Sequence, residues 1–155
     1  MNEKIDLNAY WATYLASLGA GEPRPKRYLA WGFGDNPTLA DELGELVMRG
    51  IKTATASLVW EYERGGEVMP AVGDHSIILD SKDEPLCIIE TTNVFIRAFN
   101  QVDAQHAFME GEGDRSLEFW RTAHRTYFAR RCEVLGREAG DSMPVVCEWF
   151  RMVWR

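Results

Sequence analysis

An α+β domain built round a curved, mixed sheet or small barrel is the fold class that the 155-residue sequence predicts, and three observations lead to it. Period-two patterns of the kind strands make crowd the second quarter and the C-terminus. Amphipathic helical stripes lie before, between and after them. The last strand candidate is apolar on both faces, so it belongs inside the fold, under helices or within a barrel.

Residues 6–18 place Leu7, Tyr10, Trp11, Tyr14, Leu15 and Leu18 at helical spacing, ending at Gly19-Ala20-Gly21. Glu22-Pro23-Arg24-Pro25 cannot continue a helix and reads as a connector, so residues 1–27 form an N-terminal helix and linker ahead of a domain over 28–155. Tyr28–Phe33 reads as a strand. Thr38, with Asp41 three residues on, resembles a helix start, Leu39, Leu43, Leu46 and Val47 supply its apolar face, and Gly50 suits a left-handed stop, predicting a helix over 38–49. From Thr53 the period becomes two, with Thr53, Thr55, Ser57 and Val59 on one face and Ala54, Ala56, Leu58 and Trp60 on the other. Strands over His75–Asp80 and Pro85–Phe95 form a hairpin through Ser81-Lys82-Asp83-Glu84. Asp103–Glu110 predicts a short helix, and Asp114 caps a longer one running to Arg131. Pro144 opens a final strand, Val145–Trp154. No internal repeat or low-complexity segment interrupts this order.

Hydrophobic residues make up 46% of the chain, which excludes a disordered or fibrous protein. No apolar run approaches the ~20 residues that span a bilayer, and Met1–Leu7 is too polar for a signal-peptide core, so no membrane partner and a cytoplasmic location are expected. The net charge of −7 is uneven: residues 1–120 hold 10 Lys/Arg against 20 Asp/Glu, whereas 121–155 hold 7 against 4. A field of that sign disfavours duplex DNA and leaves room for a small or single-stranded substrate. Cys87, Cys132 and Cys147 are far apart and without clustered His, so they read as core thiols, with no disulfide, metal or other cofactor implied.

Three segments could carry chemistry. In Arg49-Gly50-Ile51-Lys52-Thr53-Ala54-Thr55-Ala56-Ser57, the glycine spacing and the helix-to-strand order exclude a phosphate-binding P-loop, leaving a lysine at a turn beside a row of hydroxyls. Strand threonines selected for β propensity give the same pattern. Glu110-Gly111-Glu112-Gly113-Asp114 crowds three carboxylates among glycines, where a carboxyl pKa can rise or backbone can approach a ligand. Arg121-x-x-His124-Arg125 aligns an imidazole and two guanidiniums on one helix face, as a phosphate contact or as a packed histidine with surface arginines. Glu148 shares the strand face of Val146, Phe150, Met152 and Trp154, so it is buried and paired or lines a cleft.

Taken in order, Gly50-x-Lys52-x-x-Thr55, Val72-Gly73-Asp74, Ala107-x-x-Glu110-Gly111-Glu112-Gly113-Asp114-x-Ser116-Leu117-x-x-Trp120-Arg121-x-x-His124 and Pro144-Val145-Val146-Cys147-Glu148 resemble the ASCH (ASC-homology) domain family in its compact bacterial single-domain branch, from about Trp31 to Val153. The chain departs from the pattern in carrying Trp149 where an arginine follows the Cys-Glu pair. The resemblance implies a PUA-like β-barrel flanked by helices and a partner that is a nucleoside or single-stranded RNA. It also implies an amidohydrolase activity of some small bacterial members, removal of acetyl from N4-acetylcytidine; others have had ribonuclease activity attributed to them. The amidohydrolase pattern maps onto Lys52, Thr55 and Glu110.

That chemistry requires Lys52 to lie in the turn before the strand and swing back toward Thr55, since in an unbroken strand the two side chains oppose each other. Thr55 Oγ1 would then attack the acyl carbonyl, with Lys52, neutral if desolvation lowers its pKa, taking its proton. Glu110 would act as acid and then base, its pKa lifted by Glu112 and Asp114. Trp31, Phe33 or Trp60 would stack on the base or serve the core, and Arg121, His124 and Glu148 complete the predicted binding set. The N-terminal stripe either caps the barrel or forms a homodimer contact. A non-catalytic RNA-binding module is the competing reading.

Overall fold

Strands β1 (Leu29–Trp31), β2 (Ala54–Leu58), β3 (His75–Leu79), β4 (Pro85–Ala98) and β5 (Pro144–Trp154) form one sheet in the order β1-β3-β4-β5-β2 in a computed structural model that describes residues 3–155. The β1–β3 pair is parallel and the others are antiparallel. Register shifts at Ile78/Leu79, Ile88/Ile89 and Thr91/Asn93 interrupt the ladders that hold the long strands β4 and β5. Irregularities of this kind increase local twist. The sheet curls into a half-barrel, and its two edge strands, β1 and β2, line a common cavity instead of pairing.

Five helices cover the sheet: α1 (Leu7–Ser17), α2 (Pro37–Met48), α3 (Val59–Gly65), α4 (Ala104–Glu110) and α5 (Leu117–Leu135). The N-terminal stripe packs on the chain's own sheet, with Trp11 and Tyr14 set against Ile77, Ile88 and Trp154. A second cluster joins Val47 of α2 to Phe33, Ile78, Ile89 and Phe150. A third buries Trp120 and Phe128 of α5 on Phe99, Val145 and Cys147. All three cysteines are free and buried. Among the described residues no helix is long and apolar enough to cross a membrane.

The helix starts differ in detail from the sequence reading. Asn36, not Thr38, caps α2 by accepting from the Leu39 amide at 2.9 Å, and Pro37, whose missing amide costs nothing at that position, follows it. Asp41 instead accepts from the Ser81 amide and hydroxyl, tying α2 to the β3–β4 turn. Ser116, not Asp114, caps α5 through the Phe119 amide, while exposed Asp114 accepts from the Ser116 amide in the preceding turn. The strand predicted through Trp60 ends at Leu58. There Glu61 accepts from the Leu58 amide and starts α3, which removes Trp60 from the β2 face.

Candidate functional site

The turn that leaves α2 sets the first functional side chain. Gly50 adopts a φ of 74°, and the amides of Ile51 and Lys52 both donate to Leu46 O, so the chain doubles back before β2 begins. Lys52 therefore lies ahead of the strand and turns inward, only 2% exposed. The end of α4 is stitched to this turn: the Thr53 amide donates to Met109 O at 2.7 Å, and Arg115 donates to both Phe108 O and Ile51 O. Gly111 permits the contact, because a Cβ there would meet Ile51 O at 2.6 Å in a backbone of φ 75°.

These contacts bring Lys52 Nζ to 3.1 Å from Glu110 Oε1 and 3.6 Å from Glu112 Oε2. Glu110, 1% exposed, is the hub. Its Oε2 accepts from His106 Nε2 at 2.9 Å and from Trp120 Nε1, and its Oε1 faces Lys52 and, at 3.5 Å, His124 Nε2. His124 stacks on the Trp120 indole at 4.2 Å, and its Nδ1 donates to Trp120 O, leaving Nε2 to address the carboxylates. Glu112, at 3.9 Å from His124, is the one of the two glutamates with a partly exposed side chain.

The two carboxyls have opposite characters. Burial favours the neutral form of Glu110, but the charges of His124 and Lys52 and the His106 hydrogen bond outweigh it and hold the carboxyl well below its usual range. Glu112 goes up because burial outweighs the opposing charges of Lys52 and His124, with repulsion from Glu110 as a smaller push in the same direction. The expectation of a lifted Glu110 is thus reversed. The lifted group is Glu112, because Glu110 takes most of the donors; Asp114, exposed and bonded to Ser116, is itself lowered. For His124, burial disfavours the cation, yet Glu110 and Glu112 more than compensate and raise its pKa above the usual 6.5.

Those directions fix a pH dependence of stability. Protonated His124 stabilises the fold fully below its unfolded pKa, and that contribution is lost as pH rises through the raised folded value. Ionised Glu110 stabilises it above about 4.5, and the contribution is lost as pH falls through the depressed folded value. Urea midpoints should pass through a maximum between the two. His124→Gln should flatten the alkaline limb above pH 6.5 and also shrink the acid limb, since the His124 charge is one of those that depress Glu110; an unchanged alkaline limb would assign it to another group.

Lys52, Glu110, Glu112 and His124 form one wall of a cavity of about 700 Å³ that also takes in Thr55, Trp31, Phe33 and Glu148. Thr55 is half-buried and faces Glu148 as its register partner across β2 and β5. Among the described residues the Thr55 hydroxyl has no hydrogen-bond partner, whereas Thr53 bonds Met109 O and Ser57 bonds Tyr62. Glu148, 8% exposed, accepts from Thr91 Oγ1 at 2.7 Å, and its pKa is raised, mainly by burial. Trp31 meets Phe33 edge-on at 4.8 Å, and Lys52 Nζ lies 5.3 Å from the Phe33 ring, so Phe33 serves both core and cavity.

Two predicted residues are elsewhere. Trp60 packs against the α5 core cluster with Arg137 over its ring, because α3 turns it from the strand face. Arg121 is exposed outside the cavity; the buried stripe of α5 is Trp120, His124 and Phe128, from which the next residue is rotated by about 100°. Arg125 pairs with Asp141 instead of joining His124. Residues that the sequence reading did not assign to the site are His106, Trp120, Tyr62 and Thr91. His106 was readable, since it precedes Glu110 by four positions on one helix. Donor atoms of Glu110, Glu112 and His124 lie within 4.8 Å of one another, the spacing of a metal site, but the Lys52 ammonium already sits against both carboxylates.

The fold and the site can be set beside known proteins. An ASCH domain from Lactobacillus crispatus JV V101 is 35% identical and superimposes with a TM-score of 0.88, covering 96% of this chain and 94% of that one. A protein from Enterococcus faecalis V583 is 32% identical with a TM-score of 0.81, covering 95% and 87%. A hypothetical protein at 17% identity and a TM-score of 0.52 shares the fold alone. No curated protein matches the chain. The ASCH domain model matches residues 29–154, from β1 to the last residue of β5, and the family it describes is PUA-like and RNA-associated. With its half-barrel, its buried lysine–glutamate cluster and that match over most of its length, the chain belongs to the ASCH domain family.

Proposed function

We propose that the chain is an amidohydrolase that removes the acyl group from N4-acetylcytidine or a related N4-acylated cytosine nucleoside. The observation that carries this reading is the meeting, in one cavity, of an unpartnered hydroxyl (Thr55), a lysine (Lys52) and a carboxyl of raised pKa (Glu112). Lys52 first passes its ammonium proton to Glu112, 3.6 Å away; Thr55 Oγ1 then attacks the acyl carbonyl and its proton passes to the resulting Lys52 amine. The C–N bond breaks as the cytosine nitrogen takes a proton from Glu112, leaving acyl-Thr55. Water then attacks the ester, its proton returning to Glu112, and Thr55 leaves with the proton held by Lys52, releasing the free acid. Lys52 and Glu112, 3.6 Å apart, thus hold the exchangeable proton between them, while Glu110 remains a carboxylate that fixes the lysine.

The lining favours an uncharged nucleoside over a polyanion. Six carboxylates (Glu61, Glu67, Asp74, Glu110, Glu112, Glu148) face three lysine or arginine side chains (Arg27, Lys52, Arg130), and Arg130 is held in a two-bond pair by Asp35. Trp31, Tyr62 and Tyr127 offer rings to a base. Glu148, beside Thr55 and raised toward its protonated form by burial, would accept from the cytosine N4–H and, when protonated, donate to N3.

An RNA-binding module, with or without ribonuclease activity, is the second reading. Exposed Arg27, which lines the cavity, favours it, and Lys52 and His124 do meet, at Glu110 Oε1. The carboxylates around that pair repel a phosphate. The test is incubation of purified protein with N4-acylated cytidines, their 5′-monophosphates and short RNAs, read by product mass. Cytidine and acetate are expected, with the nucleoside turned over at least about tenfold faster than its monophosphate. No cytidine from any acylated substrate, with salt-dependent RNA binding, would replace the hydrolase by the binding module.

A further inference from the structure

Glu110 acts as a fixed charge, and His106 supports it from behind. His106, buried on α4, touches Glu110 through one ring nitrogen and Trp149 through the other. Trp149 Nε1 lies 3.1 Å from His106 Nδ1. An indole nitrogen only donates, so Nδ1 must be the bare, accepting nitrogen, and the ring proton must sit on Nε2. That proton points at Glu110 Oε2, 2.9 Å away, where the Trp120 indole also donates. The opposite tautomer would set two lone pairs against each other at this oxygen and would turn an N–H toward the Trp149 N–H.

Packing keeps Trp149 in place. Its ring meets Phe95 edge-on at 5.3 Å and 89°, and Phe95 in turn meets the His106 ring at 82°. Trp149 projects from β5 one residue after Glu148 and does not line the cavity. The contrast with His124 is informative. There a backbone carbonyl takes the Nδ1 proton and Nε2 is free to titrate against Glu110 and Glu112. The two histidines on one carboxylate are therefore oriented by partners of opposite kind, a donor behind His106 and an acceptor behind His124.

We propose that Trp149 is a positioning residue: its indole N–H holds His106 as the Nε2–H tautomer, and through it aims Glu110 at Lys52. Its effect on turnover rests on the amidohydrolase reading; the tautomer does not. In the wild-type protein, long-range proton–nitrogen correlation spectra should show His106 Nδ1 as an unprotonated and Nε2 as a protonated nitrogen. A protonated Nδ1 would overturn the proposal without recourse to any variant. Trp149→Phe keeps a ring against Phe95 but removes the donor. It should shift the His106 Nδ1 resonance, which loses its donor, loosen the ring behind Glu110, and lower kcat on N4-acetylcytidine by roughly tenfold with little change in KM. A folded Trp149→Phe protein with the wild-type His106 spectrum and kcat would also overturn it. Should the wild-type protein hydrolyse no acylated cytosine, the amidohydrolase reading fails and the spectra alone decide the tautomer.

Discussion

Thr55→Ala should lower kcat on N4-acetylcytidine by at least about a hundredfold while leaving KM and the urea midpoint close to wild type. Stability is spared because the Thr55 hydroxyl has no partner among the described residues, so its removal strands no buried donor or acceptor. Catalysis is not spared, because the acyl-enzyme path needs an oxygen at this position and β2 offers no substitute: Ser57 is engaged by Tyr62 and Thr53 by Met109 O. Thr55→Ser, which keeps an oxygen, should retain far more activity than Thr55→Ala. Glu112→Gln should lower kcat comparably and leave no acetyl adduct on Thr55 by intact mass, because the same carboxyl protonates the departing cytosine nitrogen and then activates water. Wild-type turnover by Thr55→Ala would mean that water attacks the acyl carbonyl directly, with Lys52 and Glu112 as the only proton carriers.

The period of the hydrophobic pattern made most of the fold readable, and the failures occurred where a single side-chain hydrogen bond decides a boundary. The stripes of α1 and α2 and the alternation of β2 follow from one buried face each, which the sequence displays directly. Asn36 and Ser116 were passed over because Thr38 and Asp114 carry equally good capping side chains; only the turn geometry decides which oxygen meets the helix amides. Helix α3 was hidden because it follows β2 without a gap and begins at a leucine, so that Val59 and Trp60 prolong the strand alternation on paper.

The site was legible in its members more than in its electrostatics. Lys52 and Glu110 were singled out from a turn and an acidic loop, and both lie in the cavity wall. The distribution of charge between Glu110 and Glu112 was not readable, since it depends on donors from two other places: Trp120 and His124 on α5, and Lys52, 58 residues before Glu110. Spacing along the chain says that carboxyls are crowded; it says nothing about which of them receives the N–H groups. Arg121 and Trp60 mark the converse error. Each was placed on a face by local periodicity, and in each case the helix that carries it points another side chain into the cavity, His124 from α5 and Tyr62 from α3.

Lys52→Met should cost about 3–5 kcal/mol of stability at neutral pH, the penalty for leaving a buried ion without its partner, although methionine fills most of the same space. The cost should depend on pH with a definite sign. Without the ammonium, Glu110 and Glu112 repel at close range, and the proton that relieves them is bound more tightly in the folded than in the unfolded protein. A folded pKa raised in this way contributes stability below the unfolded value, near 4.5, that disappears as pH rises, so the deficit against wild type should be smallest at mildly acid pH and largest at neutrality. The double variant Lys52→Met, Glu110→Gln should recover part of the loss. A glutamine carbonyl can accept from both His106 and Trp120, while its amide turns toward the position that Lys52 vacates and toward His124 Nε2, an acceptor when the imidazole is neutral. Urea denaturation of the three proteins at neutral pH and at about pH 5 separates these terms. A Lys52→Met protein as stable as wild type at both would mean that the glutamates are hydrated in solution, and the closed, charge-compensated wall on which the proposed chemistry depends would have to be abandoned.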